Sequence, residues 1–181
     1  MLDVPAAQEC LKQLPGDRDA LLRLYAQQWL LPDWPETECL NVVHALSWKV
    51  VAKPDVSAQL ADLASTRVEW VLRHVDKRDE EVRPRPRDVR HTLAVVRLRQ
   101  GRPADVRRLC ADALAADLDR NDRATVLATV AMAKHQLYLL ASARQALDEA
   151  LALDPNADLV PEAVSVLSVG TAALAATPAG A

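Results

Sequence analysis

The residues able to do chemistry in this chain are few and far apart. The four histidines, His44, His74, His91 and His135, include no i, i+4 pair, so no helix face offers two imidazoles to a metal. His44 with Glu38 or Cys39 makes a conceivable ligand pair, yet no third ligand accompanies it; surface or satisfied interior histidines are the expectation. Cys10, Cys39 and Cys110 are odd in number and lack C-x-x-C spacing, which argues against a disulfide framework or a zinc knuckle. Each has apolar neighbours at helical spacing and reads as a small core residue. No Gly-x-Ser-x-Gly turn exists to present a nucleophile. With only 4 glycines, no two of them close together, no phosphate-cradling loop can form. The carboxylate pairs Glu36/Glu38 and Glu80/Glu81 stand beside prolines or in a charged run and read as solvated acids. Neither a metal nor a cofactor is expected, and the chain does not read as an enzyme.

Two residue types are clustered. Arg83, Arg85, Arg87, Arg90, Arg97, Arg99, Arg102, Arg107 and Arg108 fall within a short stretch opposed only by Asp88 and Asp105. An ordinary solvated face is the first reading of such a cluster, and an acidic protein partner is the second. Nucleic-acid phosphate is a third, opposed by the net charge of −3 and by the absence of aromatic residues from the stretch. The acidic run just before it, 76–81, counts against phosphate as well. Trp29 and Trp34 flank a helix end and turn; they read as pinning a loop to the core, with an interaction anchor as the alternative. Trp48 and Trp70 read as core or half-buried.

The elements that must position these residues are punctuated by proline. The 11 prolines divide the chain into segments of helical length. Apolar residues recur at three-to-four spacing between them, as at Leu40, Val43, Leu46 and Val50, and at Leu60, Leu63, Ala64, Val68, Val71 and Val75. The pattern predicts helices near 17–31, 36–52, 56–76, 87–100, 103–117, 122–137, 140–153 and 160–176, with Ser57 or Asp55 capping the third. No segment alternates strictly and no Asn-Gly or Asp-Gly pair marks a hairpin, so the expected fold class is all-α. The charged, proline-broken run from Asp76 to Arg87 reads as an exposed linker after an N-terminal helical region, 1–82. The N-terminus carries no basic segment followed by an apolar run, so no signal peptide is expected. The most lipid-like stretch, Ala163 to Ala176, falls short of the roughly twenty residues needed to cross a bilayer. A cytoplasmic protein without a membrane span is the expectation.

The second half superposes on itself under a shift of 37 residues. Ala113-Leu114-Ala115-Ala116-Asp117 lands on Ala150-Leu151-Ala152-Leu153-Asp154, and Leu93-Ala94 meets Val130-Ala131. Period, helix pairing and the placement of small residues together indicate a helical repeat. Ala143-x3-Leu147-x2-Ala150 followed by Leu153-Asp154-Pro155-Asn156, with Ala131 at the small position of the preceding helix, resembles the tetratricopeptide repeat family. The resemblance covers about residues 87–157, with Arg90, Arg97 and Lys134 in places that family usually gives to aromatics. It implies two helical hairpins stacked as an α-solenoid, a right-handed superhelix, that binds a protein or peptide in a concave groove.

The groove positions of the family fall here at His91, Val95, Leu98 and Arg99, then Thr125, Ala128, Met132 and His135. That face is largely apolar and lacks the Lys, Arg and Asn set that clamps a terminal carboxylate, so an amphipathic helix fits it better than a carboxyl-terminal peptide. A scaffold or adaptor is the functional expectation. The alternatives are a homo-oligomerising helical domain and a non-catalytic accessory subunit of an enzyme. The C-terminal region, 158–181, bears on the first alternative: Val160, Ala163, Val164, Val166, Leu167 and Val169 leave its helix no polar face, which calls for burial in a second copy, a partner or a longer stack.

Overall fold

The computed structural model describes residues 36–75 and 83–175. The expected helix at 17–31, Cys10, Trp29, Trp34 and the pair Glu80/Glu81 lie outside the described residues, and Glu36, Glu38 and Cys39 are described in backbone only. Seven helices follow one another: α1 Glu36–Val51, α2 Ala58–Val75, α3 Pro86–Arg99, α4 Pro103–Ala115, α5 Arg120–Gln136, α6 Leu140–Leu153 and α7 Val160–Ala175. No strand occurs among the described residues. The chain divides into two compact units that part between Thr92 and Leu93, inside α3.

In the first unit α1 packs on α2. The periodic residues of both helices do the packing: Leu40, Val43, Leu46 and Val50 from α1 meet Leu60, Ala64, Val68, Val71 and Val75 from α2, all buried. Each large aliphatic side chain so buried contributes about 1.5–3 kcal/mol. Ser57 sits just ahead of α2, and its hydroxyl accepts the Leu60 backbone N–H at 3.3 Å, satisfying one of the donors that a helix start leaves open. Trp48 and Trp70 are both half-buried.

The second unit is organised around α5, which packs against α4, α6 and α7. Ten consecutive residues, Ala124 to Ala133, are buried. A helix surrounded on all sides must be uncharged all round and thin enough for close approach, and this run consists of Ala, Thr, Val, Leu and Met. Its two threonines keep their hydroxyls satisfied by donating back along the helix, Thr125 to the Asn121 carbonyl at 3.0 Å and Thr129 to the Thr125 carbonyl at 3.0 Å. The helix begins two residues earlier than its apolar pattern predicts, because Asp119 caps it by accepting the Asp122 N–H at 2.8 Å. Arg120 then reaches the Leu153 carbonyl at 3.0 Å, and the Asn121 amide reaches the Asp154 carboxylate at 3.2 Å. Arg120 and Asn121 therefore tie the start of α5 to the end of α6. Hydrogen bonds from the Asn156 backbone and the Asn121 amide hold the Asp154 carboxyl below its usual range.

The internal repeat appears in the backbone itself. Moved by 37 residues, α4 (Pro103–Ala115) falls on the body of α6 (Leu140–Leu153), and the end of α3 at Arg99 falls on the end of α5 at Gln136. Both first helices close with the same hydrogen bonds. The Gly101 N–H meets the Leu98 carbonyl and the Arg102 N–H the Arg97 carbonyl, as the Tyr138 N–H meets His135 and the Leu139 N–H meets Lys134. These paired bonds with a left-handed residue between them form the Schellman ending.

α7 packs on α5 and α6 with Val160, Ala163 and Leu167 buried, while Val164 is 37% exposed. Among the described side chains, the apolar circumference expected from the sequence thus resolves into a buried edge, a half-buried Val166 and an exposed Val164. At the start of α7, Glu162 forms a two-pronged pair with Arg99, Nη1 to Oε1 and Nη2 to Oε2, the second at 2.7 Å. No described helix is long and apolar enough to cross a membrane.

Candidate docking cleft

The eight residues placed in a concave groove by family resemblance do not form an open face. Val95, Leu98, Thr125, Ala128 and Met132 are buried, and Arg99 is held by Glu162. His91, Arg99 and His135 keep partial exposure. The physical reason lies in α5, whose small, uncharged run is covered on every side, so that a face reserved for a partner in the expected arrangement is interior here. Replacing Met132 by Glu would place a charge in the core instead of across a docking path.

An open apolar cleft of the second unit lies elsewhere, between α4 and α5. A cleft of about 410 Å³ is lined by Pro103, Val106, Arg107 and Leu114 from α4, by Val130, Ala133 and Lys134 from α5, and by Leu137, Leu139 and Ser142 beyond it. Its mouth is the turn between α5 and α6, Leu137-Tyr138-Leu139, where the side chains are 42%, 88% and 53% exposed. Turns normally carry Gly, Pro, Asn, Asp or Ser, each of which supplies a backbone conformation or a local hydrogen bond. Three consecutive large hydrophobic residues in this turn need another explanation.

Tyr138 sharpens the point. Its backbone is left-handed, φ 59°, a conformation that costs a residue bearing a Cβ roughly 1–2 kcal/mol. Leu159 is also left-handed, φ 66°, but its side chain is only 5% exposed, so burial offsets the strain. Tyr138 has no such compensation within the fold. Strained, exposed residues concentrate at binding sites, where the strain is tolerated for what the side chain does. The signal was present in the sequence: under the 37-residue shift, Leu137-Tyr138-Leu139-Leu140 replaces Gln100-Gly101-Arg102-Pro103.

Several members of the arginine cluster are engaged by near neighbours in the chain. Arg83 and Arg85 both reach Asp88, at 3.2 and 2.9 Å, Arg102 pairs with Asp105 at 2.8 Å, and Arg97 donates to Gln100 at 2.7 Å. Arg107 differs from them. It lines the cleft and makes no ion pair or hydrogen bond with a described residue.

Folding also joins two histidines that are remote in sequence. In the first unit His44 Nε2 lies 2.9 Å from the Thr92 hydroxyl, whose oxygen donates to the Asp88 carbonyl at 3.1 Å. His91 lies beside Trp48, ring centroids 5.3 Å apart. Each imidazole keeps some exposed edge, yet desolvation holds His44 below its ordinary value, against the opposing pull of Asp88. Burial likewise takes His91 down to about 4, again against Asp88 and aided by His44. Both are neutral at pH 7. No cluster of three or more His, Cys, Asp or Glu suited to a metal occurs among the described residues. Cys110 is buried, and burial pushes its thiol up to about 12, so it behaves as a small apolar core residue.

Comparison with protein-family models, with curated proteins and with solved structures gives no match to this chain.

Proposed function

We propose that this chain is a non-catalytic helical docking module of tetratricopeptide-like build, receiving an apolar peptide or amphipathic helix of another protein in the α4–α5 cleft. One observation carries the reading: a strained and almost fully exposed Tyr138 stands between two exposed leucines at the mouth of an apolar cleft. A large exposed aromatic beside apolar lining residues is the type of residue that dominates binding at protein interfaces. The repeated hairpin supports the same reading, since stacked helix pairs act by presenting surface rather than by chemistry. The cleft is small enough to take one or two side chains of a partner, with the rim residues closing around them.

Site-specific photo-crosslinking tests this. A benzophenone amino acid at position 138, in the full chain expressed in its native cell, is expected to give a discrete heavier adduct. The same group at exposed Ala104, on α4 but outside the cleft lining, serves as control. Equal adducts at both positions, or none at 138, would count against docking at this turn.

A further inference from the structure

The cleft has a charge as well as a shape. Its lining contains two cations, Arg107 and Lys134, and no carboxylate. Two cations outside the lining are balanced locally, Arg102 just ahead of α4 by Asp105 at 2.8 Å and Arg144 on α6 by Asp148 at 2.9 Å. The two of the lining make no such pair, and neither do Arg108 on α4 and Arg123 on α5 with any described residue. Arg107 is exposed and makes no ion pair with a described residue, and the Lys134 ammonium donates only to the Ser142 carbonyl, at 3.3 Å. In a chain of net charge −3, two cations left without acids beside the apolar cleft mark a local reversal of sign.

From this we infer that the partner segment is acidic as well as apolar: a large hydrophobic residue enters against Leu114, Leu137 and Leu139, and an Asp or Glu within about one helical turn of it meets Arg107 and Lys134. This rests on the docking reading above and states the chemistry its partner must have. A guanidinium offers a carboxylate two parallel N–H donors, and the ammonium adds a point charge. Partial desolvation on docking strengthens both contacts relative to open water. Opposite charge at a rim also speeds encounter and excludes basic segments, so the pair serves selectivity as well as affinity.

The test uses a displayed library of randomised twelve-residue peptides selected against the full chain, in parallel with Arg107→Glu and with the double change Arg107→Glu, Lys134→Glu. Matched thermal melts verify that the variants fold, as expected for rim positions. Peptides selected by the unaltered protein should combine one or two large apolar residues with a nearby Asp or Glu. Their affinity should fall by roughly tenfold on Arg107→Glu, and selection on the double variant should turn toward Lys or Arg. Apolar peptides without an acidic preference, unaffected by charge reversal but lost on Leu139→Lys at the exposed rim, would overturn the acidic partner and leave docking standing. An absence of any peptide sensitive to Leu139→Lys would overturn both. Light scattering decides the remaining occupant: a dimer dissolved by Arg107→Glu would show a second copy of this chain in the cleft, and the heterologous acidic partner would fall.

Discussion

Gly101 and Tyr138 occupy the same place in two successive helix endings, 37 residues apart, both left-handed at φ 69° and 59°. The first ending uses the residue that adopts this conformation without strain, and the second uses one that does not. Tyr138→Gly should therefore raise stability by about 1 kcal/mol while weakening partner docking. The mirror change, Gly101→Ala, should lower stability by about 1 kcal/mol, since a Cβ there meets nothing within 4 Å and only backbone strain is added. Urea titration reads both. A destabilised Tyr138→Gly would mean that the ring packs within the fold and is not held out for a partner.

The Arg99–Glu162 pair fastens the end of α3 to the start of α7, with side chains only 8% and 14% exposed. Glu162→Ala removes the carboxylate from a nearly buried guanidinium, and the expected loss is about 3 kcal/mol. In a double-mutant cycle with Arg99→Met, much of that loss should disappear, because the residual charge goes with its partner. Additive single effects would show that the two side chains do not act on one another in solution.

Ala131 and Ala143 are both fully buried where α5 packs on α6. Ala143→Leu should overpack this crossing at a cost of about 1–3 kcal/mol. Leu147, 2% exposed on the same helix, should cost about 2–5 kcal/mol when cut to Ala, through the cavity it leaves. Thermal melts unchanged by both substitutions would place this face of α6 at the surface.

His91 makes the first unit sensitive to acid. Its pKa is 6.5 unfolded and about 4 folded, so between those values the unfolded chain binds the proton that the folded chain refuses. The fold is unaffected above pH 6.5, loses stability as pH falls from 6.5 toward 4, and loses no more on this account below that. The full loss is about 3 kcal/mol, at roughly 1.4 kcal/mol per pH unit. His91→Gln should flatten the difference in urea stability between pH 7 and pH 4.5, and an identical difference in both proteins would refute the assignment. His44, also depressed, shifts the window in the same sense.

Much of the architecture was legible before folding was considered. The ends of all seven described helices lie within two residues of those expected from proline spacing and apolar period, because proline cannot continue a helix and its missing N–H acts locally. The cap at Ser57 was legible for the same reason. Where a local signal competed, as when Asp119 capped α5 two residues early, the pattern of apolar residues alone misplaced the start. The 37-residue shift was readable as well, and the ends of α3 and α5 correspond under it, whereas their shared hydrogen-bonded ending was not read from the residues.

What the sequence could not decide is which faces stay open. Periodicity reports that a side of α5 is apolar, but not how many neighbours will cover it; Val95, Ala128 and Met132 became interior only because the rest of the chain closed over them. The joining of His44, Thr92 and His91 into one desolvated cluster is likewise a product of packing between residues some 48 positions apart. Local chemistry sets where helices begin and end, since hydrogen bonds and φ angles are satisfied within a few residues. Exposure depends on the whole chain, because water is excluded only when distant segments arrive together. The sequence therefore carried the helices, their order and the unusual Leu-Tyr-Leu turn, and only the tertiary structure placed that turn, with Arg107 and Lys134, at the mouth of a cleft.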